Sequence, residues 1–448
     1  MRNHRIESRP QVQGDRAPLR LRHSARGLTD GAGLLLLRRL WDTLHLGSWI
    51  DQRTSHVPGR FRPSLMIELW VALLFYGGGV MDDLPLLERR GVRRIFGWVR
   101  IPDPTTFGRW LRRSAAALVP LLDELVWRLV LARWALMGVP RKLTLVLDST
   151  VSVRYGTKQA GAEKGYNPKK PGRPSHHPLL AFLQETGDCL GVRWRPGSAH
   201  AAVGAEEWLR LLVDRLRSTG VEEITVRLDK GFFSRSIVDT LFDLDVHFLL
   251  KIPNHGWLRD HQRPWRRSER GEGIFPGAET WTATGSLWGG RLLSLQARRP
   301  LPAEETLELD TYEVTESTHV LTNLEGIHAI SAWRLYNQGA LIEQRIEELG
   351  QLSAGQTAVD HLEANALLWS LNAVAYQLLH FIRTTALPGR WRTAQPKRLR
   401  AWLLRMPAKL TTHARKNYVQ LLREDPARLL FLKALRRMRD GPPLSHAV

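Results

Sequence analysis

The sequence predicts an α/β protein, with a central sheet and helical regions before and after it. Three observations predict this. Leu143–Leu147 and Ile224–Leu228 are apolar runs that lead straight into Asp148 and Asp229, as buried strands ending at a sheet edge do. Between them lie a hairpin pattern and an amphipathic helix pattern. Residues 28–139 and 388–448, by contrast, read as arginine-rich helices.

Composition sets outer limits. The chain has 448 residues, 43% of them hydrophobic. That is enough for a sizeable core and about three domain-sized units. The formal net charge is +21 and the isoelectric point is near 10.8. So large an excess points to a polyanionic partner, nucleic acid before a membrane surface or a ribosome. The single cysteine, Cys189, excludes an intrachain disulfide and a multi-cysteine zinc site, and fits a reducing, cytoplasmic compartment. Residues 1–30 hold arginines but no continuous apolar stretch, so no signal peptide is expected. Ala366–Ile382 is uncharged, yet Ser370, Asn372, Gln377 and His380 mark it as a core helix rather than a membrane span.

In chain order, residues 1–27 read as a disordered basic arm. Residues 28–140 read as a helical DNA-binding domain. Helices are expected from Leu34, over Pro63–Tyr76 up to the Gly77-Gly78-Gly79 break, and over Leu86–Phe96. Asp103-Pro104-Thr105 is a helix start, and Phe107–Leu118 follows with Arg109 and Arg112 outward. The helices around Gly97–Pro104 form either a helix-turn-helix reader or a scaffold with wet arginines. Pro120–Leu136 is an amphipathic packing helix.

Residues 141–385 change texture. The strand ending at Asp148 is followed by a basic, Gly- and Pro-rich loop, Arg154–His177, which holds Lys164, Tyr166, Lys169 and Lys170. These residues approach DNA phosphates or form a loop without a role; Lys230, directly after Asp229, is a further phosphate candidate. Next come strands at Pro178–Gln184 and Cys189–Trp194, a helix over Ala205–Arg217, the Asp229 strand, a helix over Ser234–Leu244 and a strand at Val246–Lys251. Hairpin, helix, strand, helix, strand is the order of an RNase H-like core. Residues 253–320 read as a β-rich insertion, with strands at Thr280–Thr284, Leu292–Gln296 and Leu307–Val314. Trp281 and Trp288 within it either stack on an unpaired base or pack the insertion. A strand at His319–Asn323, a helix over Ser331–Leu349 and a long helix over Val359–Ile382 follow. Residues 386–448 read as a basic helical region. Fifteen Lys and Arg face three Asp and Glu in residues 388–448, interleaved with apolar residues, so a phosphate-facing tail is expected.

Strand-end carboxylates suit phosphoryl transfer, because two divalent ions can clamp the attacking and leaving oxygens. An all-oxygen shell favours Mg²⁺, with Mn²⁺ as a substitute. Asp148 and Asp229 supply two ligands, and a third should project from a nearby helix. Glu343 is the candidate, with Ile342, Ile346 and Leu349 as the core stripe and Tyr336, seven residues earlier, on the same face. Glu347 is the rival, and Glu348 is expected to face solvent.

On these residues the chain resembles bacterial insertion-sequence transposases of the DDE type, and within them the 1380 group. The resemblance rests on Leu-Asp-Ser-Thr at 147–150, Lys-Gly-Tyr-Asn-Pro at 164–168, His177-Pro178-Leu179-Leu180, Arg-Leu-Asp-Lys-Gly-Phe-Phe at 227–233, Leu-Thr-Asn-Leu at 321–324 and Tyr336–Leu349. It implies an RNase H-like core and an Asp148, Asp229, Glu343 triad that binds the metals. It implies double-stranded DNA as partner, as terminal inverted repeats and as target, a homodimer on paired ends, a cytoplasmic, nucleoid-associated location and no membrane. The implied activity is cut-and-paste transposition. A metal nuclease that never joins strands and a DNA-end-binding protein without catalysis remain open. The family's last helix usually reads Tyr, Arg three later, Glu seven later and Lys fourteen later, the basic residues gripping terminal phosphates. Here Gly339 and Gly350 stand at the basic positions, and Arg345 and Arg334 are the possible substitutes.

Overall fold

A computed structural model describes residues 26–440 apart from 157, 166, 168, 169, 269–278, 301–312, 339, 355–358 and 415. The arm up to residue 25, Tyr166, Lys169, Gly339 and the expected strand start at Leu307 lie outside the described residues.

The chain begins with β1 (Leu28–Thr29), α1 (Leu35–Thr43), α2 (Leu46–Arg53), α3 (Pro63–Tyr76), α4 (Arg90–Phe96) and α5 (Pro104–Met137). Helix α3 ends where the glycines begin, with Gly77 left-handed at φ 112°. Asp103 caps α5 by accepting from the Thr106 backbone N–H at 2.9 Å. The two helices expected on either side of Pro120 are one helix of 34 residues that keeps Pro120 inside. Its flank is buried from Phe107 to Trp134, and that packing offsets the hydrogen bond a proline removes.

The α/β part comprises β2 (Lys142–Ser149), β3 (Ser152–Val153), β4 (Ser175–His176), β5 (Leu179–Leu183), β6 (Cys189–Arg193), α6 (Ala205–Ser218), β7 (Glu223–Leu228), α7 (Arg235–Asp243), β8 (His247–Ile252), β9 (Arg266–Arg267), β10 (Glu279–Leu287), β11 (Gly290–Pro300), β12 (Glu313–Thr322), α8 (Ala329–Asn337), α9 (Ala340–Leu349) and α10 (Leu362–Phe381). Nine strands form one sheet in the order β6-β5-β2-β7-β8-β12-β11-β10-β9. Strands β2, β7 and β8 run parallel, joined by α6 and α7; their remaining neighbours are antiparallel. The strands of the 253–320 segment therefore continue the central sheet from β8 rather than standing apart.

Alternation along β2 sets the two faces. Leu143, Leu145 and Leu147 face α6 and α7 in one buried cluster. Val146 faces the opposite cluster, which also holds residues of α1 to α5, α9 and α10. Asp148, two residues after Val146, belongs to that second face.

The C-terminal part departs from the all-helical expectation. After α11 (Pro396–Leu399) come β13 (Ala408–His413) and β14 (Lys416–Leu421), then α12 (Arg428–Asp440). The hairpin turns at Ala414, left-handed at φ 46°, and β13 pairs with β1. Leu410, Thr411, Thr412, Tyr418 and Val419 are good strand formers, a signal masked by the surrounding charge. Chain start and end also meet at Gly33, where an added Cβ would lie 1.8 Å from the Leu403 carbonyl oxygen. Among the described residues no single helix is long and apolar enough to cross a membrane.

One carboxylate of the helical part makes stability depend on pH. Burial pushes Glu68 up to about 7, although its side chain accepts a 2.8 Å hydrogen bond from the Trp98 indole N–H. The folded state thus holds a proton that the unfolded state releases near 4.5, so this contribution is lost as pH rises through about 7. Glu68→Gln keeps an acceptor for Trp98. It should raise stability at pH 8 by on the order of 1–3 kcal/mol and leave it unchanged at pH 4, as read from urea midpoints at both pH values.

Candidate active site

The register Leu147 opposite Leu228 sets the next residues, Asp148 and Asp229, side by side at the ends of adjacent parallel strands. One strand further, Leu228 pairs with Leu250, which puts Lys251 next in the same row. Residues two apart share a face, so Arg227 points the same way as Asp229. This face thus carries two carboxylates and two cations, Arg227 and Lys251, and α8 packs on it over β8, β11 and β12.

Electrostatics follow from the crowding. Burial and the neighbouring Asp229 charge push the Asp148 carboxyl up to about 7. The Ser149 backbone N–H and Arg227 oppose that shift, and the Glu343 charge adds to it. The Tyr336 hydroxyl donates to Asp229 Oδ1 at 3.2 Å. Burial and the Asp229 charge hold that phenol far above its ordinary range, so it stays a donor. The Tyr336 ring is flanked by Lys251 Nζ at 5.4 Å and the Arg227 guanidinium at 6.0 Å. Arg227 is itself buried and donates to Gln184 Oε1 at 2.5 Å.

The third expected carboxylate arrives differently from the sequence reading. The helix expected over Ser331–Leu349 is two helices, α8 ending at Asn337 and α9 starting at Ala340. Asn337-Gln338-Gly339 is a weak helical stretch with a glycine at its end. Tyr336 and Glu343 thus sit on separate helices. Glu343 lies in the first turn of α9, exposed, with its charge felt at Asp148. Ile342 and Leu349 point into the core. Among the described residues no three His, Cys, Asp or Glu side chains are gathered tightly enough to form a ready metal cage. The donor chemistry nevertheless fits a hard divalent cation. Two neighbouring carboxylates, one of them raised to about 7 by burial and by the other's charge, gain from a positive charge between them.

Two expectations for α9 are corrected. Glu348, expected in solvent, is fully buried, and Arg345, a candidate phosphate contact, is tied to it. Arg345 Nη1 reaches the Glu348 carboxylate at 3.0 and 3.1 Å, and Arg383 Nη2 reaches it at 2.7 Å. Arg345 follows Ile342 by three and precedes Leu349 by four, which turns it inward, and Glu348 follows Arg345 by three, next to it on the helix surface. The pair is one end of a buried polar network. Arg383 Nη2 also reaches the Tyr376 hydroxyl at 3.3 Å, and Tyr376 donates to the Gly187 carbonyl at 3.0 Å. Beside it, buried Asp188 accepts from Arg133, from Trp134 Nε1 at 3.0 Å and from Gln377 Nε2 at 2.6 Å. The β5–β6 turn, α5, α9 and α10 are thereby locked to one another.

The remaining candidates are scattered. Lys164 and Lys230 are exposed. Lys170 is exposed, hydrogen-bonds the Tyr155 hydroxyl and sits 4.7 Å from that ring. Arg109 is exposed, and Arg112 pairs with Asp360 at 2.8 Å. Trp288 stacks on Phe233 at 4.9 Å, and Arg298 lies 4.9 Å from the Trp281 ring, so both tryptophans have protein partners. Sequence reasoning missed Arg227 and Lys251. Arg227 stands two residues before Asp229 at the end of the same strand, and Lys251 stands directly across from Asp229 on the next strand.

The family model "Transposase DDE domain group 1" matches residues 11–443. No curated relative matches the sequence. Among solved structures, the chain is similar to piggyBac transposase in a synaptic complex with hairpin DNA. The TM-score is 0.41 at 12% identity, over 85% of this chain and 83% of that one. It is also similar to Mos1 transposase in a paired-end complex with the left transposon end, with a TM-score of 0.17 at 15% identity, over 45% of this chain and 61% of that one. Neither likeness is close enough to carry residue-level inference. With a family match over nearly its whole length, this chain belongs to the DDE transposases of domain group 1.

Proposed function

We propose that this chain cuts DNA at the ends of a mobile element and joins the freed 3′-ends to target DNA, with Asp148, Asp229 and Glu343 as its carboxylate triad. The observation that carries this reading is the adjacency of Asp148 and Asp229, with the Glu343 charge reaching Asp148. The strand order β6-β5-β2-β7-β8, with only β2, β7 and β8 parallel, supports an RNase H-like core.

Asp148 and Asp229 would hold divalent cations between them, and Glu343 would complete the set from α9. Bound Mg²⁺, or Mn²⁺ in its place, supplies Lewis-acid activation of the attacking oxygen and charge neutralisation at the phosphate. Tyr336 keeps the Asp229 carboxylate oriented through its hydroxyl. Lys251 offers an ammonium beside the same row, suited to a non-bridging phosphate oxygen. Arg227, buried and bonded to Gln184, holds countercharge near Asp148 rather than contacting DNA.

The test is incubation of the full chain with DNA carrying the repeats that flank its gene, with and without Mg²⁺. Metal-dependent nicking at the repeat ends followed by joined products is expected. Nicking without joining would make the chain a nuclease, and specific binding without nicking would leave only an end-binding protein. Gly339 and Gly350 keep the last reading alive, since neither supplies the family's phosphate grip. Gly339→Arg should tighten end binding and steepen its salt dependence by about one phosphate contact, measured by anisotropy over a salt series; no change would mean that position does not face the backbone.

A further inference from the structure

The sheet edge does not use the chain's largest charge excess. That excess lies in the C-terminal part, and the fold brings it against the N-terminal helices. A groove of about 890 Å³ runs between α1, α4, the β13–β14 hairpin and α12. Its lining includes Arg38, Arg39, Arg94, Arg436 and Arg439, against one carboxylate, Asp42. Asp42 is already paired with Arg38 at 2.6 Å. Arg94 holds the hairpin in place by donating to Asn417 Oδ1 at 2.9 Å. Arg39 of α1 and Arg436 of α12 are exposed and both line the groove. Tyr418, 45% exposed, adds an aromatic hydroxyl to the same lining. No residue between 142 and 349 takes part, so the groove is separate from the Asp148–Asp229 edge.

We propose that this groove is a second DNA surface, gripping the sugar–phosphate backbone of duplex that lies beyond the cleaved end. It rests on the transposase reading and adds where the flanking duplex is held. Guanidinium groups from α1 and α12 match a row of phosphates, because each can donate two parallel N–H bonds to one phosphate. Such contacts fix register and carry no sequence information. The arginines come from residues far apart in the chain, so the groove exists only when both ends of the protein are folded together. Arginines outnumber carboxylates five to one in the lining and the one carboxylate is already paired, which suits a row of phosphates; an acidic protein is the other ligand that this charge would attract, and wild-type DNA affinity in the variant below is the outcome that would favour it.

The test uses the full chain and a labelled mixed-sequence DNA duplex. Affinity is read by anisotropy between roughly 50 and 200 mM salt, with repeat-end cleavage measured at saturating DNA. The double variant Arg39→Glu, Arg436→Glu should bind at least about tenfold more weakly at the low-salt end. It should lose about two phosphate contacts from the salt slope. Its cleavage rate at saturation should equal wild type, and its melting temperature should be unchanged because both side chains are on the surface. Arg39→Lys, Arg436→Lys should keep the wild-type salt slope, since charge is kept, and regain only part of the affinity, since the paired N–H bonds are lost. Wild-type affinity and slope in the Glu variant would overturn the groove while leaving cleavage, and so the transposase reading, intact. A wild-type chain that binds no DNA at all would sink both.

Discussion

Asp148→Asn is expected to abolish DNA cleavage while making the metal-free protein more stable. Removing one group that stabilises a transition state costs a hundred- to a thousandfold, and losing a carboxylate proposed to hold the cations should cost at least about that much. The stability gain has a separate cause. In the folded protein the Asp148 carboxyl is pushed up to about 7 by burial and by Asp229. The folded state therefore binds a proton that the unfolded state gives up at lower pH, and stability falls as pH rises through about 7. Asparagine removes that penalty, for a gain on the order of 2–4 kcal/mol at pH 8 and none near pH 3. Wild type should recover the difference when Mg²⁺ is added, and the variant should not. Cleavage assays with end-containing DNA, together with urea midpoints at pH 8 with and without Mg²⁺, check both halves. A variant that is dead but less stable than wild type would point to misfolding rather than to a lost ligand.

Glu348→Ala should be the most damaging substitution on α9. It leaves the guanidinium groups of Arg345 and Arg383 in the interior without their carboxylate, and breaking one side of a buried ion pair costs about 3–5 kcal/mol. Glu347→Ala, one residue earlier and exposed, should stay within about 0.5 kcal/mol. Denaturation midpoints of the two variants give the comparison. The loss at Glu348 should also reach the chemistry, because the break before Ala340 leaves α9 to be oriented by its own packing. Equal stability of the two variants would mean that the buried network does not hold α9.

How much of this was legible in the sequence depended on what each residue answers to. Strands β2, β5, β6, β7 and β8 were visible because buried strands carry long apolar runs, and Asp148 and Asp229 stand where those runs stop. Helix α3 could be bounded because Gly77 follows it. The break between α8 and α9 is a local weakness at Gln338 and Gly339 that a seven-residue spacing argument overlooked. Glu348 and Arg345 were misread because charge outweighed position, although Arg345 falls on the side of Ile342 and Leu349 and Glu348 is its neighbour one turn on. The β13–β14 hairpin was hidden by arginines and lysines flanking a modest alternation. Lys251 needed the register between strands, which no single segment contains, whereas Arg227 stands only two residues before Asp229 and was outranked by it.

The most direct measurement is a crystal structure of the chain bound to end DNA and Mn²⁺, with the metal located by anomalous scattering. Manganese between Asp148 and Asp229, with Glu343 among its ligands, is the expected result. Manganese bound elsewhere, or Glu347 in the place assigned to Glu343, would contradict the triad on which the proposed chemistry rests.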